Sequence, residues 1–315
     1  MVAATAGGGL RSASDGYTAH MDVLRSMMER DRLRETVDSW AHRGPAVITG
    51  AASGIGRAMA ETLAGYGVEV VVSDIDEAGV EETARRCRAR GTNAHNHRLD
   101  VSDRDAVYAH ARSVVDLLGV PQLVVNCAGL TTIALIENER DADGRRVFEV
   151  NLDGVVNGTD AFLPEMRRAG SGHLINVSSA FGLGAAPLQS SYSASKFAVR
   201  GYTESIQLDL LRDRSPVGVH CVCPGAVRTG IARTARYTDS RVRRRVTTVF
   251  DHVIPATRPE RAARTILAGV MRGRRRIVVG VDGRLLDVLT RLTGGTWQGP
   301  AGRMLRPVAA IIGDR

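Results

Sequence analysis

One tyrosine and the chain's one lysine lie four residues apart in the stretch SSYSASKFAVRG, at Tyr192 and Lys196. The stretch is typical of a helix, so the two side chains share one helical face. A nearby ammonium group stabilises a phenolate and lowers the pKa of a tyrosine from its reference value of about 10. The pair is therefore a candidate acid/base for moving an alcohol proton near neutral pH.

The type of the basic residue supports this interpretation, because Lys196 is the only lysine among 42 basic residues. Arginine is a poor substitute in such a pair, since its charge is spread over a planar fork. Lysine instead offers a compact point charge with three donors. The alternative is that an arginine-rich chain keeps one lysine by chance in an ordinary surface pair. With only six tyrosines in the chain, that coincidence of spacing is rare.

A glycine-rich turn, TGAASGIGRAMAETLAGYG, follows the apolar run AVIT near residue 46. A strand, a turn of this kind and a helix start together present backbone N–H groups and a helix dipole to a pyrophosphate. The glycines Gly50, Gly54 and Gly56 are not spaced as in the common G-x-G-x-x-G pattern. The alternative is a glycine turn that only lets a strand and a helix pack closely.

An acid ends the next apolar run, at Asp74. A carboxylate at this place can accept hydrogen bonds from both hydroxyls of an adenosine ribose, and it repels a 2′-phosphate. No basic residue lies between Gly50 and Gly54 to attract that phosphate, and Arg57 could point elsewhere. These residues favour NAD over NADP as the cofactor.

These residues must be positioned by an alternation of strands and helices. The apolar, strand-like runs are 46–49, 68–74, 94–100, 122–129, 172–179, 218–225 and 275–280. Helix-length segments lie between them, at 54–66, 76–90, 103–118, 142–168, 191–212 and 258–272. Such an alternation predicts an α/β fold, a doubly wound, Rossmann-type parallel sheet of about seven strands with helices on both faces.

Three regions follow from this pattern. Residues 1–43 are predicted to be an N-terminal extension, first disordered and then with a possible short helix. Residues 44–282 form the catalytic domain, and 283–315 form a C-terminal tail. Five residues of the tail have a helical apolar pattern that favours core or subunit packing over attachment to a membrane surface: Leu285, Leu286, Val288, Leu289 and Leu292.

Composition excludes several classes of protein. The apolar share of 43% and the charged share of 24% are ordinary for a globular protein. The net charge of +8 comes from arginines interleaved with acids, and few aromatic residues accompany them, so we expect no nucleic-acid partner. The arginine clusters at 241–245 and 272–276 could bind an anionic group, although a solvated surface is the simpler interpretation.

The four cysteines form no C-x-x-C pair and no zinc-ligand set, so we expect free thiols and no metal. Reduced cysteines suit a cytoplasmic protein. No apolar run reaches 18 residues, and no signal pattern opens the sequence, so we predict neither a transmembrane segment nor export.

With these motifs in order, the sequence resembles the classical branch of the short-chain dehydrogenase/reductase family over roughly residues 44–282. Thr49 to Gly56 matches the family's T-G-x-x-x-G-x-G, and Tyr192 to Lys196 matches its Y-x-x-x-K. The family's serine, thirteen residues before the tyrosine, selects Ser179 rather than Ser178.

Further motifs of the family match between and beyond these. Its catalytic asparagine matches Asn151 in V-N-L-x-G, and its P-G-x-V-x-T matches residues 224–229. Its N-N-A-G corresponds to residues 126–129 with Cys127 in place of the second asparagine. Its adenine-pocket acid corresponds to Asp100, followed by Val101.

The resemblance implies a role for each catalytic residue. Ser179 would hydrogen-bond the substrate oxygen, and Tyr192 would exchange a proton with it during hydride transfer. Lys196 would hold the nicotinamide ribose and lower the pKa of Tyr192. The backbone carbonyl of Asn151 would hold a water that links Lys196 to solvent.

The resemblance also implies an NAD site and a homodimer or homotetramer. Pro224 and Gly225 would pack near the nicotinamide, and Val227 and Thr229 would hold its carboxamide. The expected cofactor-binding residues are Gly50, Ser53, Gly54, Ile55, Gly56, Asp74, Asp100, Val101, Asn126, Ala128, Gly129, Tyr192, Lys196, Pro224, Gly225, Val227 and Thr229.

Mostly apolar residues flank the catalytic set, which suggests a secondary alcohol or ketone on a hydrophobic body. They are Thr131, Phe181, Leu183, Ala186, Leu188 and Gln189. Residues 230–256 stand where the family has a substrate lid, and their arginines could meet an anionic tail.

Two other functions remain open. One is a dinucleotide-binding sensor or interaction protein without turnover, which would have no need of Ser179 and Tyr192. The other is an epimerase or dehydratase of the family's extended branch, which would have a larger C-terminal substrate domain.

Overall fold

A seven-stranded parallel sheet forms the centre of the molecule. The computed structural model describes residues 43–231, 235–237 and 257–304. The strands of this sheet are β1 (Ala46–Thr49), β2 (Val70–Asp74), β3 (Ala94–Arg98), β4 (Leu123–Asn126), β6 (His173–Val177), β7 (Gly218–Pro224) and β9 (Arg276–Val279). They lie side by side in the order β3-β2-β1-β4-β6-β7-β9. Two short parallel strands, β5 (Thr132–Ile133) and β8 (Arg236–Tyr237), pair separately.

The helices cover both faces of the sheet. They are α1 (Gly54–Ala64), α2 (Glu77–Arg88), α3 (Arg104–Leu118), α4 (Asp141–Phe148), α5 (Gly154–Ala169), α6 (Ser190–Arg212), α7 (Pro259–Met271), α8 (Val281–Thr293) and α9 (Gln298–Met304). Helices α1, α2 and α7 pack on one face, and α3, α5 and α6 pack on the other. The predicted doubly wound fold is confirmed.

The strand sequences explain why the sheet is buried on both sides. In β1, Ala46 and Ile48 join the core under α1, whereas Val47 joins the core under α5. All three are inaccessible to solvent. Because successive side chains of a strand point to opposite faces, an uninterrupted apolar run is what a doubly covered strand requires.

One predicted helix, at 142–168, is broken. Helix α4 ends at Phe148, a π-helical turn spans Glu149–Asp153, and α5 begins at Gly154. A π turn widens the helix by one residue and is frequent at functional sites. Apolar periodicity continues across such a turn, so the sequence pattern did not reveal it.

Helix α8, near the end of the described chain, also differs from what the sequence pattern predicted. Helix α8 begins at Val281, so the expected boundary at residue 282 falls inside it. Of its apolar residues, Leu286 is half-buried against the body of the protein. The others are exposed: Leu285 at 67%, Val288 at 52%, Leu289 at 39% and Leu292 at 81%. Packing against the body of the protein therefore accounts for Leu286 alone among the five apolar residues of this pattern.

Several predicted features lie outside the described residues. These are the N-terminal extension up to residue 42, the arginine cluster at 241–245 and the chain beyond 304. Within the described ranges, no helix combines the length and the apolar character that crossing a bilayer requires.

Candidate active site

The candidate catalytic residues meet where β4 and β6 end. Ser179 follows β6, Tyr192 and Lys196 lie on the first two turns of α6, and Asn151 lies in the π turn before α5. In an open parallel sheet, the carboxyl ends of the strands form the edge at which ligands bind. The fold therefore brings together all four residues that the sequence singled out.

Lys196 is held in a buried position, with 3% of its surface exposed. Its Nζ donates a hydrogen bond to the carbonyl of Val177 at 3.0 Å, and it lies 5.7 Å from the ring centroid of Tyr192. Burial lowers the pKa of Lys196 to about 8, because an ammonium group loses hydration there. The lysine is thus mostly charged at pH 7 and close to its titration point.

Tyr192 is 8% exposed, and the ring of Phe181 meets it edge-on at 6.4 Å. Burial raises the pKa of Tyr192 above its ordinary value, whereas a hydrogen bond with Ser179 acts in the opposite direction. The sequence predicted that Lys196 would lower the pKa of Tyr192, whereas in the folded protein this pKa is raised. The cost of burying a phenolate exceeds the favourable contacts.

The structure separates the roles of the two adjacent serines. Ser178 is buried, and its Oγ donates to the backbone carbonyl of Lys196 at 2.7 Å, which ties β6 to α6. The Oγ of Ser179 accepts from the N–H of Phe181 at 3.1 Å. Of the two serines, it is Ser179 that acts to lower the pKa of Tyr192.

Asn151 is inaccessible to solvent and joins two parts of the site. Its Oδ1 accepts from the N–H of Leu130 at 2.9 Å, and its Nδ2 donates to the carbonyl of Leu130 at 3.0 Å. Nδ2 also lies 3.0 Å from the Oγ of Ser195, which donates to the carbonyl of Tyr192 at 2.8 Å. Ser195 was missed by sequence reasoning, although it is the residue directly before Lys196.

The glycine turn between β1 and α1 is shaped by close approaches. Gly50 has a φ of +67°, and a Cβ there would lie 2.6 Å from the Cα of Ala128. Gly54 has a φ of +57°, and a Cβ there would lie 2.9 Å from the methyl of Thr229. A Cβ on Gly56 would collide with the carbonyl of Gly50. Larger residues cannot form this turn.

Ser53 precedes α1 without capping it through its side chain, and Ile55 packs on the core beneath the turn. Backbone N–H groups at such a helix start suit a phosphate group. This glycine cradle is the part of the structure that fits a dinucleotide.

The acid that ends β2 is bound to the same turn. The carboxylate of Asp74 accepts from the N–H of Ala52 at 2.9 Å and from that of Asp76 at 3.1 Å. Arg57 donates to the carbonyl of Ala52 and, at 2.9 Å, to the Oγ1 of Thr83. The guanidinium is therefore turned toward the start of α2.

The residues after β4 line the cradle from the other side. The Oγ1 of Thr49 accepts from the N–H groups of Cys127 at 3.1 Å and Ala128 at 3.3 Å. A Cβ on Gly129 would lie 3.2 Å from Asn151 Oδ1 and 3.4 Å from Lys196 Nζ. Ala128 and Gly129 thus lie between the cradle and the catalytic residues.

The side chain of Asn126 does not join them. Its Nδ2 donates to the Oδ1 of Asn176 at 2.9 Å and lies 3.3 Å from the Oγ1 of Thr159. These residues are buried between the sheet and α5. Asn126 therefore stabilises the sheet beneath the site, rather than presenting its side chain at the edge.

The turn after β7 completes the edge. Gly225 donates to the carbonyl of Val279 at 2.8 Å, and Val227 forms an isolated bridge with Thr257. The carboxylate of Asp282, at the start of α8, accepts from the N–H of Ala226 at 2.5 Å. Pro224 and Thr229 flank this turn. Sequence reasoning missed Asp282, since no motif includes it.

A separate cluster surrounds Asp100, after β3. Its Oδ1 accepts from the N–H of Ser102 at 3.0 Å and its hydroxyl at 2.7 Å, and its Oδ2 pairs with Arg146 at 2.6 Å. Burial acts to raise the pKa of Asp100, but the hydrogen bonds of Ser102 and Arg146 outweigh it and lower the pKa. Val101 is 6% exposed and packs against Gly154. Arg146 was not predicted as a site residue.

The substrate side combines apolar packing with two hydrogen bonds. Gln189 donates to the Oγ1 of Thr131 at 3.0 Å, and Ala134 donates to the carbonyl of Leu188 at 3.0 Å. An apolar cluster covers this loop and joins β5 to β8; it consists of Ile133, Leu188, Ala235 and Tyr237. Leu183 is buried beside Cys221 and Cys223.

Comparisons with known proteins agree with this geometry. The short chain dehydrogenase family profile matches residues 45–240. SadH of Mycobacterium tuberculosis, which is named as an oxidoreductase, is 44% identical over 253 residues, covering 80% of this chain and 92% of SadH. Estradiol 17-beta-dehydrogenase 11 of Mus musculus is 32% identical over 247 residues, covering 78% of each chain.

A solved structure extends the likeness to three dimensions. The short chain dehydrogenase/reductase of Burkholderia phymatum in complex with NAD superimposes with a TM-score of 0.69 and 32% identity. The match covers 74% of this chain and 87% of that one. With its fold, its strand-end motifs and these matches, the chain belongs to the short-chain dehydrogenase/reductase family of oxidoreductases.

Proposed function

We propose that this protein is an oxidoreductase that uses NAD(H) to interconvert a secondary alcohol and a ketone on a largely apolar substrate. Tyr192 is its acid/base. The observation that carries the proposal is the buried Tyr192 beside Ser179, with its ring centroid 5.7 Å from the Lys196 Nζ, next to a glycine cradle.

The nicotinamide supplies or accepts the hydride when the cofactor is bound. The chain's own residues manage the oxygen of the substrate and one proton. In the reducing direction, the hydroxyl of Ser179 donates a hydrogen bond to the carbonyl oxygen, and Tyr192 delivers its phenolic proton to that oxygen. In the oxidising direction, the phenolate of Tyr192 takes the alcohol proton back.

Lys196 makes this proton transfer accessible near neutral pH. Burial favours the protonated phenol, so a phenolate at this position needs a nearby positive charge. With a pKa of about 8, Lys196 still carries that charge at pH 7. The backbone carbonyl of Asn151, in the π turn, would hold a water that returns protons from solvent.

The residues around the second strand favour NAD over NADP. Asp74 keeps a carboxylate beside the glycine turn, where it can accept from ribose hydroxyls and repels a 2′-phosphate. Arg57 is directed toward Thr83 and the carbonyl of Ala52, so its hydrogen bonds already have acceptors. The Burkholderia phymatum relative, at 32% identity, binds NAD.

The apolar substrate is inferred from two observations. The loop that faces the catalytic residues packs through Leu188 and Ile133 with Tyr237. The relative from Mus musculus is named an estradiol dehydrogenase, and estradiol is an apolar molecule with a secondary alcohol. A hydrophobic wall with a few polar groups is the usual form of such a pocket.

The test is a screen of steroid, terpenoid, acyl and aromatic secondary alcohols with NAD and NADP in parallel. We expect Tyr192→Phe to bind NADH as the wild type does and to lose turnover by about 10²- to 10⁴-fold. Tyr202→Phe is the matched control on the same helix, because Tyr202 hydrogen-bonds Asp160 away from the site. Full activity of Tyr192→Phe on a confirmed substrate would refute the mechanism.

The cofactor preference has its own test in the same assay. We expect Asp74→Ala to weaken NADH binding and to improve the relative binding of NADPH, because the repulsion of the 2′-phosphate is removed. An unchanged preference would remove the basis for NAD. Selective NADH binding without turnover of any substrate in the screen would support the sensor alternative.

A further inference from the structure

Arg200 joins helix α6 to the turn that follows Ser179. It lies one helical turn after Lys196, and its Nη1 donates to the carbonyl of Gly182 at 3.3 Å. Gly182 ends a 3₁₀ turn, Ala180–Gly182, and its own N–H donates to the carbonyl of Ser179 at 2.9 Å. One side chain of the helix that carries Tyr192 and Lys196 therefore contacts the turn that begins at the candidate catalytic serine.

An ion-pair network fixes the guanidinium of Arg200. Its Nε donates to the Oε1 of Glu204 at 3.0 Å, and Arg276 on β9 donates to the same oxygen. Burial acts to raise the pKa of Glu204, but the hydrogen bonds of Arg276 and Arg200 outweigh it and lower the pKa. Glu204 is therefore a carboxylate at neutral pH. Because a hydrogen bond to a charged group is strong, it holds Nε and leaves Nη1 directed at the carbonyl of Gly182.

These side chains are partly shielded from water. Arg200 is 27% exposed, Glu204 is 36% exposed and Arg276 is 26% exposed. Arg212 and Asp209, a pair near the end of the same helix, are 71% and 58% exposed. An isolated exposed pair contributes little, whereas a shielded network holds its geometry more firmly.

The turn that Arg200 contacts sets the geometry of two groups at the site. The N–H of Phe181 donates to the Oγ of Ser179 at 3.1 Å, and this contact leaves the hydroxyl hydrogen of Ser179 available for a substrate oxygen. The ring of Phe181 meets that of Tyr192 edge-on at 6.4 Å. A shift of the turn would therefore move the Ser179 hydroxyl and the wall beside Tyr192 together.

The loop is tied to α6 on both sides of Ser179. Before it, the Oγ of Ser178 donates to the carbonyl of Lys196 at 2.7 Å. After it, Arg200 holds the carbonyl of Gly182. With the second tie removed, the turn keeps its own backbone hydrogen bonds but loses this link to the helix that carries Tyr192.

We propose that Arg200 is a positioning residue that keeps the hydroxyl of Ser179 aligned with the substrate oxygen by holding the turn after it against α6. The proposal rests on the proposed function and adds to it a residue that acts through Ser179. A donor aimed at an oxygen that gains negative charge stabilises the transition state more than the bound substrate. The effect of Arg200 therefore belongs to kcat and not to the binding of the cofactor.

A purely structural role for Arg200 makes a different prediction. If Arg200 only stabilised the contact between the loop and α6, its loss would lower turnover by the same factor whether or not residue 179 carries a hydroxyl. Coupling between the two positions distinguishes the roles, because a residue that acts through a hydroxyl loses its effect when that hydroxyl is absent.

The experiment is a double-mutant cycle of Arg200→Gln and Ser179→Ala, measured with the secondary alcohol of the screen that the wild type oxidises fastest. We expect Arg200→Gln to lower kcat by about tenfold with an unchanged dissociation constant for NADH. In the Ser179→Ala background, the same substitution should lower kcat by less than about twofold. Arg212→Gln, the matched control, removes the exposed pair with Asp209 from the same helix and should leave kcat unchanged.

The outcomes separate this inference from the proposed function. An equal loss of kcat in both backgrounds, or an unchanged kcat in Arg200→Gln, would overturn the role of Arg200 and leave the proposed function intact. A wild type that turns over none of the screened alcohols would overturn both proposals. Thermal unfolding shows whether Arg200→Gln is folded. If it is not, Arg200→Met takes its place in the cycle, since it keeps a long unbranched side chain without the donors, and equal losses in the two backgrounds would again overturn the proposal.

Discussion

At the scale of the residue, the lone lysine is explained by the space that it occupies. Lys196 reaches between the ends of β4 and β6 with its Nζ on the carbonyl of Val177. A Cβ on Gly129 would already lie 3.4 Å from that nitrogen. A guanidinium is wider and carries its charge in a plane, so it does not fit the same position. A compact ammonium does.

We expect Lys196→Arg to keep the fold and lose turnover by at least about a hundredfold, with a stability cost of about 1–3 kcal/mol from overpacking. Arg212→Lys makes the reverse exchange at the exposed end of the same helix. Because Arg212 is 71% exposed in its ion pair with Asp209, this substitution should change neither turnover nor stability. Steady-state kinetics and circular dichroism measure both effects. Near-normal turnover by Lys196→Arg would show that positive charge alone suffices.

At the scale of the element, helix α8 contacts two loops of the candidate active site and holds them in place. Asp282 holds the N–H of Ala226 in the turn after β7. On the same helix, Leu286 and Thr290 pack against Gly184, where a Cβ would lie 3.0 Å and 2.9 Å from them. The loop that begins at Ser179 and the turn expected near the nicotinamide are thus held by one helix.

We expect Asp282→Asn to weaken NADH binding by about tenfold, because a neutral amide replaces a charged acceptor on the Ala226 N–H. Asp287→Asn is the control on the same helix; it loses ion pairs with Arg276 and Arg291 and should leave NADH binding unchanged. Isothermal titration measures the affinities. Equal effects of the two substitutions would mean that α8 contributes only general stability.

At the scale of the whole molecule, the half-buried His173 and the buried His220 join β6 to β7 near the amino ends of these strands. The Nδ1 of His220 lies 2.7 Å from the carbonyl of Arg274, so it carries the proton. Its Nε2 then accepts from the Nδ1–H of His173 at 3.1 Å. Burial lowers the pKa of His173 to about 4 and also lowers that of His220, because a charged ring loses hydration there.

The sign of the pH dependence follows from these values. The folded state favours the neutral form of both rings. Their contribution to the free energy of unfolding is therefore complete above the unfolded pKa of 6.5, and it is lost as the pH falls toward 4. From pH 7 to pH 4.5, we expect His173 to account for about 2 kcal/mol of the loss in the free energy of unfolding.

His173→Gln, whose neutral amide can donate to His220, should make the pH dependence shallower by that amount. Urea unfolding at the two pH values measures it. His95→Gln removes a half-exposed ring that pairs with Glu69 and should leave the slope unchanged. An unaltered slope in His173→Gln would place the acid sensitivity elsewhere.

Local patterns predicted the sheet, because strands buried on both faces are apolar throughout, and the spacing of Tyr192 and Lys196 predicted the candidate acid/base pair. Ser179 and Asn151 were expected only from the resemblance to the family. The same patterns missed the break before Asn151, since a π turn leaves the apolar period nearly unchanged. The resemblance to the family predicts Asn126 as a cofactor-binding residue, and the structure places its side-chain amide in the buried network with Asn176 and Thr159.

The sequence by itself determined the family, the order of strands and helices, and the chemical types at the site, since each of these depends on residues close together in the chain. The tertiary structure alone decided which distant residues hold that site. Arg146 meets Asp100 across 46 positions, and Asp282 meets Ala226 across 56. It also decided the pKa values of Tyr192 and Lys196, because the loss of hydration depends on how the whole chain packs around a group. Spacing identifies the groups that can react, and burial sets the charge that each of them carries.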